Sequence, residues 1–277
     1  MRLVTVRTED GARAGRLDGD RIELLPYPDV GALLSDPGWG KAAETRGEAI
    51  DATDADFAPV VPKPNKIICL GLNYKAHIEE MGRELPSHPT LFAKYALSLI
   101  GARDPIVLPP ESQAVDWEVE LAFVIGARAR RVKAADAGKV VAGFTVFNDI
   151  SMRDWQMRTL QFLQGKTFER STPVGPAVVT LDEFPQGIDA DLAISCEVDG
   201  EQMQKARTSD LLFTPAALVE YISTIMTLEP GDIVATGTPN GVGAGRNPPV
   251  FLKSGQTVRT TIEGVGELLN QTVAETV

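Results

Sequence analysis

Hydrophobic positions along this chain fall mostly in short, dense runs bounded by glycine, proline and polar residues, the pattern of strands rather than of long amphipathic helices. From Met1 to about Val61 the pattern reads as short strands: Leu3, Val4 and Val6, then Arg16-Leu17, then Ile22 to Leu25. A polar, alanine-rich stretch from Gly38 to Asp56 follows and carries few groups suited to catalysis. Pro62 and Pro64 flank Lys63; both lack a backbone donor and restrict the residue before them. A boundary is placed there, with 1–62 as a small N-terminal α/β domain and 63–277 as the domain that carries the chemistry.

Beyond the prolines, Lys66 to Gly71 is an apolar run closed by glycine and reads as a buried strand. Asn73 is placed as the cap of a helix from Tyr74 to about Met81, ended by Gly82. Strands are predicted at Leu91–Ala93, Ile106–Leu108, Val119–Ile125 and Val141–Asn148, then a helix from near Ser151 to about Leu163. Further strands are predicted at Ala177–Thr180, Leu192–Val198 and Asp232–Thr236, with a closing hairpin around Glu263-Gly264. Leu218, Ile222 and Ile225 space the apolar face of one amphipathic helix over Pro215–Met226. Strands outnumber helices without alternating regularly with them, which points to a β-rich α+β fold and not a doubly wound sheet.

Composition narrows the function classes. Of 277 residues, 43% are hydrophobic, enough for a large core. Lys and Arg number 27 against 38 Asp and Glu, a formal charge of −11 that argues against nucleic acid or an anionic membrane as partner. The two cysteines, Cys69 and Cys196, fit buried thiols better than a disulfide. The N-terminus shows no apolar signal segment and no run reaches membrane-spanning length, so a cytoplasmic protein is expected. With two histidines in all and no HExxH, His-rich zinc chemistry is excluded; GxSxG and the full phosphate-loop pattern GxxxxGK[ST] are absent as well.

The densest chemical signal is Asp116-Trp117-Glu118-Val119-Glu120, leading into an apolar strand. Residues two apart on a strand share a face, roughly 6.5–7 Å between Cα atoms. Two carboxylates on a covered face need positive charge between them, and oxygen donors suit Mg2+, Mn2+ or Ca2+ better than Zn2+. A solvated edge strand is the plainer reading of Glu-x-Glu alone. Asp149, at the end of the next apolar strand, offers a third oxygen donor, and Trp117 on the opposite face indicates that the strand is covered.

Three other groups follow. His77 and Glu80, spaced i, i+3 on a helix, can pair as a base for water, or be an ordinary exposed His and Glu among the polar IEEMGREL. His88, in Ser-His-Pro, reads as a turn residue with no fixed partner. Arg153 and Gln156, also i, i+3, lie just past Asp149 and are followed by Lys166, a compact charge for a carboxylate or an enolate. The glycine-rich loop from Gly237 to Gly245 can offer backbone N–H groups and the Thr238 hydroxyl to an anion, or be a plain turn.

In order, Gly71-Leu72-Asn73-Tyr74 with His77 and Glu80, Phe92-Ala93-Lys94, Glu118-Val119-Glu120, Asn148 to Gln156, Gly165-Lys166, Pro173 to Pro176, Gly231-Asp232, Thr236 to Pro239, Gly241-Val242-Gly243 and Gly266 to Asn270 resemble the fumarylacetoacetate hydrolase family. The resemblance spans about Lys66 to Asn270. It implies a catalytic domain of mixed strands rolled into a sandwich-like barrel, assembled as a homodimer. It implies Mg2+ or Mn2+ on Glu118, Glu120 and Asp149, with His77 and Glu80 as the water-activating dyad on a short lid helix. Lys166 is implied as a catalytic cation, and Lys94, Arg153, Gln156 and Thr238 as contacts to a small 2-oxo acid substrate. The run Thr167 to Thr172 departs from the family's usual Ser-Phe-Asp-Thr-Phe and leaves the pocket's details open.

The reaction this implies first is hydrolysis of a carbon–carbon bond in an acylpyruvate, with pyruvate enolate leaving. Oxaloacetate decarboxylation and isomerisation of 2-hydroxyhepta-2,4-diene-1,7-dioate share the same enolate and stay open. A binding module for 2-oxo acids without catalysis is the rival from another class.

Overall fold

In the computed structural model, residues 1–80 and 84–276 are described, the side chains of 77, 79 and 80 excepted. A twelve-stranded mixed sheet forms one wall of the fold and a five-stranded sheet faces it. At the centre of the large sheet, Val119–Ile125 pairs antiparallel with Val141–Asn148 on one side and with Ile233–Ala235 on the other. Ile233–Ala235 in turn pairs parallel with Ile67–Gly71, which carries Thr90–Lys94 beyond it.

These central strands read as unbroken apolar runs because both of their faces are covered. Leu121, Phe123 and Ile125 point into one core, shared with Ile194, Val198, Val258 and Leu268 of the five-stranded sheet. Ala122 and Val124 point into a second core, closed by Val30, Leu33 and Leu34 of a short helix capped by Asp29. Glu118 and Glu120 share the parity of Ala122 and Val124, so the strand period carries them to the end of this second core. The sandwich of mixed sheets is therefore the expected β-rich α+β fold. The N-terminal strand Arg2–Thr8 pairs with Thr172–Thr180 and so extends the large sheet.

Most predicted elements fall where expected; two differ, and a strand next to the centre was not predicted. The predicted helix from Ser151 to Leu163 does not form: Ser151–Met152 bridges to Val115–Asp116, and two short helices follow, Arg153–Gln156 and Leu163–Lys166. Gly165 lies so close to Gln156 that an added Cβ would be 2.4 Å from the Gln156 nitrogen, so the chain folds back on itself where a helix was predicted. The helix at Asn73 runs over Lys75–Glu80, but Asn73 does not cap it. Asp210 supplies that acceptor, from the Ala76 N–H at 3.1 Å; the predicted stop at Gly82 lies outside the described residues. Strand Glu201–Arg207 has no counterpart in the sequence reading, because EQMQKAR buries little beyond Gln204.

Both cysteines are free and buried, as expected. Among the described residues no helix is long and apolar enough to cross a membrane. The close approach at Gly165 makes a direct prediction. Gly165→Ala should cost about 1–3 kcal/mol, read as a lower thermal midpoint. Gly40→Ala, with open space around it, should leave the midpoint unchanged or raise it.

Candidate metal centre

Glu118, Glu120 and Asp149 converge so that one carboxylate oxygen from each lies within 4.8 Å of the others, and all three are buried. The ladder explains the meeting: Val119 is opposite Asn148, and the Asp149 N–H continues the pairing by donating to the Glu118 carbonyl at 2.9 Å. Asn148 steadies the join, its Oδ1 accepting from the Glu118 N–H at 3.0 Å.

Three cationic side chains surround the carboxylates. Lys94 Nζ donates to Asp149 Oδ1 at 2.7 Å. Lys166 Nζ bridges Glu118 Oε2 at 2.7 Å and Asp149 Oδ2 at 2.8 Å. Arg153 reaches Glu118 Oε1 at 2.6 Å and Asp116 Oδ2 at 2.8 Å, and its Nη1 also donates to Gln156 Oε1 at 2.9 Å. Asp116, Glu118 and Asp149 thus each have a cationic partner, while among the described residues Glu120 receives only the Gly237 N–H, at 2.8 Å on Oε2. Its other oxygen, Oε1, is buried with no hydrogen-bond partner among the described residues.

The electrostatics follow from that difference. Burial, then the charges of Asp149 and Glu118, push the Glu120 carboxyl well above the ordinary range. Burial also acts on Asp149, but Lys166 and Lys94 outweigh it and hold that carboxyl below its usual value. Lys166 keeps its proton more firmly than a free lysine: burial opposes the charge, and Asp149 and Glu118 outweigh burial. Three hard oxygen donors, one of them orphaned and short of positive charge, fit a hard dication.

Other predicted residues fall around this centre with varied closeness. Arg153 and Gln156 are brought together with Glu118 by the short helix that begins at Arg153. Lys94 is fully enclosed and bonded to Asp149 and the Ile150 carbonyl. The Thr238 hydroxyl donates to the Val119 carbonyl at 2.9 Å and accepts from Gln204 Nε2 at 2.9 Å. His77 and Glu80 lie on the helix Lys75–Glu80, but their side chains are outside the described residues. His88 pairs with Ser87 in its turn, at 2.9 Å.

The glycine-rich loop does present N–H groups to anions, and the anions are the protein's own. Gly243 and Ala244 donate to Asp116 at 2.6 and 2.9 Å, and Gly237 to Glu120. Three further residues lie at or beside the centre with no signal of their own in the sequence pattern. Asp116 orients Arg153 and the loop; it heads the very motif that flagged Glu118. Gln204 Oε1 accepts from the Val119 N–H at 3.0 Å, from the strand that the sequence does not reveal. Tyr74 is fully buried, its hydroxyl is without a partner among the described residues, and burial and then Glu120 raise its pKa.

A family pattern described as fumarylacetoacetate (FAA) hydrolase C-terminal matches residues 66–273. The chain belongs to this family. It is 46% identical over 235 residues to a mitochondrial oxaloacetate tautomerase from Bos taurus, covering 84% of this chain and 74% of that one. Solved relatives include a 5-carboxymethyl-2-hydroxymuconate delta-isomerase from Mycobacterium smegmatis, 33% identical with a TM-score of 0.83 over 99% of this chain and all of that one. A maleylpyruvate hydrolase from Sphingobium sp. SYK-6 is 32% identical, with a TM-score of 0.81 over 99% of this chain and all of that one. Members of the family are enzymes and generally use a divalent metal.

The charge imbalance at Glu120 can be tested without substrate. In EDTA at neutral pH, Glu120→Gln should melt above the wild type, because it removes a buried carboxyl that costs free energy whether it is held protonated or left ionised with no side-chain cation among the described residues. Adding Mn2+ should raise the wild-type midpoint and leave the variant's unchanged. A variant that melts lower in EDTA and still responds to Mn2+ contradicts the assignment.

Proposed function

We propose that Glu118, Glu120 and Asp149 hold Mg2+ or Mn2+, and that this fumarylacetoacetate hydrolase-family enzyme interconverts the enol and keto forms of a small 2-oxo acid, oxaloacetate first. The observation that carries the reading is the Lys166 ammonium bridging Glu118 and Asp149 beside the unpaired oxygen of Glu120. It puts a fixed positive charge at the edge of an acidic cluster, where an enolate oxygen would be stabilised. The relation to an oxaloacetate tautomerase, at 46% identity, supports oxaloacetate over longer substrates.

A bound dication would supply Lewis acidity at the 2-oxo oxygen. The chain's own residues do the rest. Lys166 stays charged, because its carboxylate partners raise its pKa, and donates to the oxygen where charge develops. Arg153, held at a fixed angle by Asp116, faces a substrate carboxylate, and Gln156 is oriented by the same guanidinium. His77, with Glu80 at i+3 to orient it, is assigned the proton at C3: it takes that proton in forming the enol and returns it in forming the ketone. The enol hydroxyl proton is exchanged with solvent.

Acylpyruvate hydrolysis is the second reading. It is favoured by the His77/Glu80 spacing, suited to activating water, and by the maleylpyruvate hydrolase among the solved relatives. A panel with Mn2+ present separates the two. Enol–keto exchange of oxaloacetate, followed by ultraviolet absorbance, should be accelerated, lost in EDTA, and slowed about 100-fold or more in His77→Ala. Acylpyruvate cleavage without oxaloacetate exchange replaces the first reading by the second; neither activity overturns both.

A further inference from the structure

We infer that Asn73 is a positioning residue that locks the helix bearing His77 and Glu80 to the metal ligand Glu120, so that the proton-transfer group and the metal keep one register. The inference rests on the function proposed above and concerns a residue that does not touch substrate. Asn73 is fully buried, and its side chain makes three hydrogen bonds, none of them to its own helix. Nδ2 donates to the Thr236 carbonyl at 2.8 Å and to the Phe213 carbonyl at 3.0 Å, while Oδ1 accepts from the Phe213 N–H at 2.8 Å. Both amide protons are committed, so no other common side chain of this size supplies the same pattern.

Each bond leads to a functional part. Thr236 precedes Gly237, whose N–H is the only hydrogen bond to Glu120 Oε2 among the described residues. Gly237 has φ +93°, and a Cβ there would be 3.0 Å from the Asn73 Cβ, so the two backbones are pressed together. Phe213 belongs to the loop that cradles the helix base: the Leu212 N–H donates to the Asn73 carbonyl, Leu211 bridges to Tyr74, and Asp210 caps Ala76. Just before Asn73, Leu72 is held at φ 58°, a left-handed conformation that a leucine adopts only when its surroundings impose it. The chain is thus forced out of strand Ile67–Gly71, pinned by Asn73, and released as the helix Lys75–Glu80. Moving the pin would shift the donor on Glu120 and the root of the helix together.

Asn73→Ala should therefore weaken Mn2+ binding, measured by calorimetry, by about 10-fold or more. At saturating Mn2+ it should lower kcat for oxaloacetate exchange by a similar factor, with KM within about twofold of wild type. Thr5→Ala, which removes a buried hydroxyl bonded to Val60 and Val30 far from the centre, serves as the control for general destabilisation. It should lower the thermal midpoint and leave Mn2+ affinity and kcat unchanged. If Asn73→Ala does not fold, Asn73→Asp keeps the volume and the acceptor while losing the donors, and should show the same paired loss. A folded Asn73 variant that retains wild-type Mn2+ affinity or wild-type kcat overturns the inference, however far its midpoint falls. So does an equal loss of affinity in Thr5→Ala. A wild type that binds no Mn2+ refutes the metal assignment and this inference together, whereas binding that is indifferent to Asn73 refutes this inference alone.

Discussion

A carboxylate buried beside two others, with one oxygen unpaired, is the constraint around which the centre is built. Placing an ionised Glu120 next to Glu118 and Asp149 is unfavourable in a dry interior unless positive charge is close. The protein answers the same problem at the neighbouring carboxylates with Lys94, Lys166 and Arg153, each fixed at hydrogen-bonding distance. At Glu120, among the described residues, it provides only a backbone N–H. The remaining deficit of positive charge is localised on one oxygen, which is what distinguishes a ligand from a buried ion pair. Among the described residues, four carboxylates, Asp116, Glu118, Glu120 and Asp149, stand against three cations, and a dication would turn that formal excess from negative to positive. A site with a net positive charge suits a dianionic 2-oxo acid even though the chain as a whole is acidic.

The fold makes this arrangement rigid. Both faces of the central strands are packed, so a one-residue slip of Val119–Ile125 would move Glu118 and Glu120 into the opposite core, and the register is strongly determined. Irregular backbone is kept to the strand ends, where it supplies N–H donors: Gly237 to Glu120, Gly243 and Ala244 to Asp116. Asp116 then sets Arg153, which sets Gln156, so these two side chains inherit their positions from the residue that heads the strand carrying Glu118 and Glu120.

The parts legible in the sequence are those written in local pattern. The run from Val119 to Ile125 announces a two-faced strand, and Glu-x-Glu at its head follows its period. Asp149 was found because it ends a similar run. The helix predicted after Ser151 failed because nothing local to Arg153-Asp154-Trp155-Gln156 shows that Gly165 will fold back against it. Asn73 read as a helix cap by residue type, whereas its partners, Phe213 and Thr236, are 140 and 163 residues away. Gln204 sits in a strand whose polar composition hides it, and only pairing with Ala193–Val198 reveals its role. Long-range hydrogen bonds of this kind leave no periodic trace. The family itself is legible in the ordered short motifs from Lys66 to Asn270.

The metal assignment is tested most directly by anomalous X-ray diffraction from crystals grown with Mn2+. The expected result is a single strong peak about 2.1 Å from one oxygen each of Glu118, Glu120 and Asp149, with Glu120 contributing Oε1. Absence of a peak there, or a peak that leaves Glu120 Oε1 uncoordinated, would contradict the assignment.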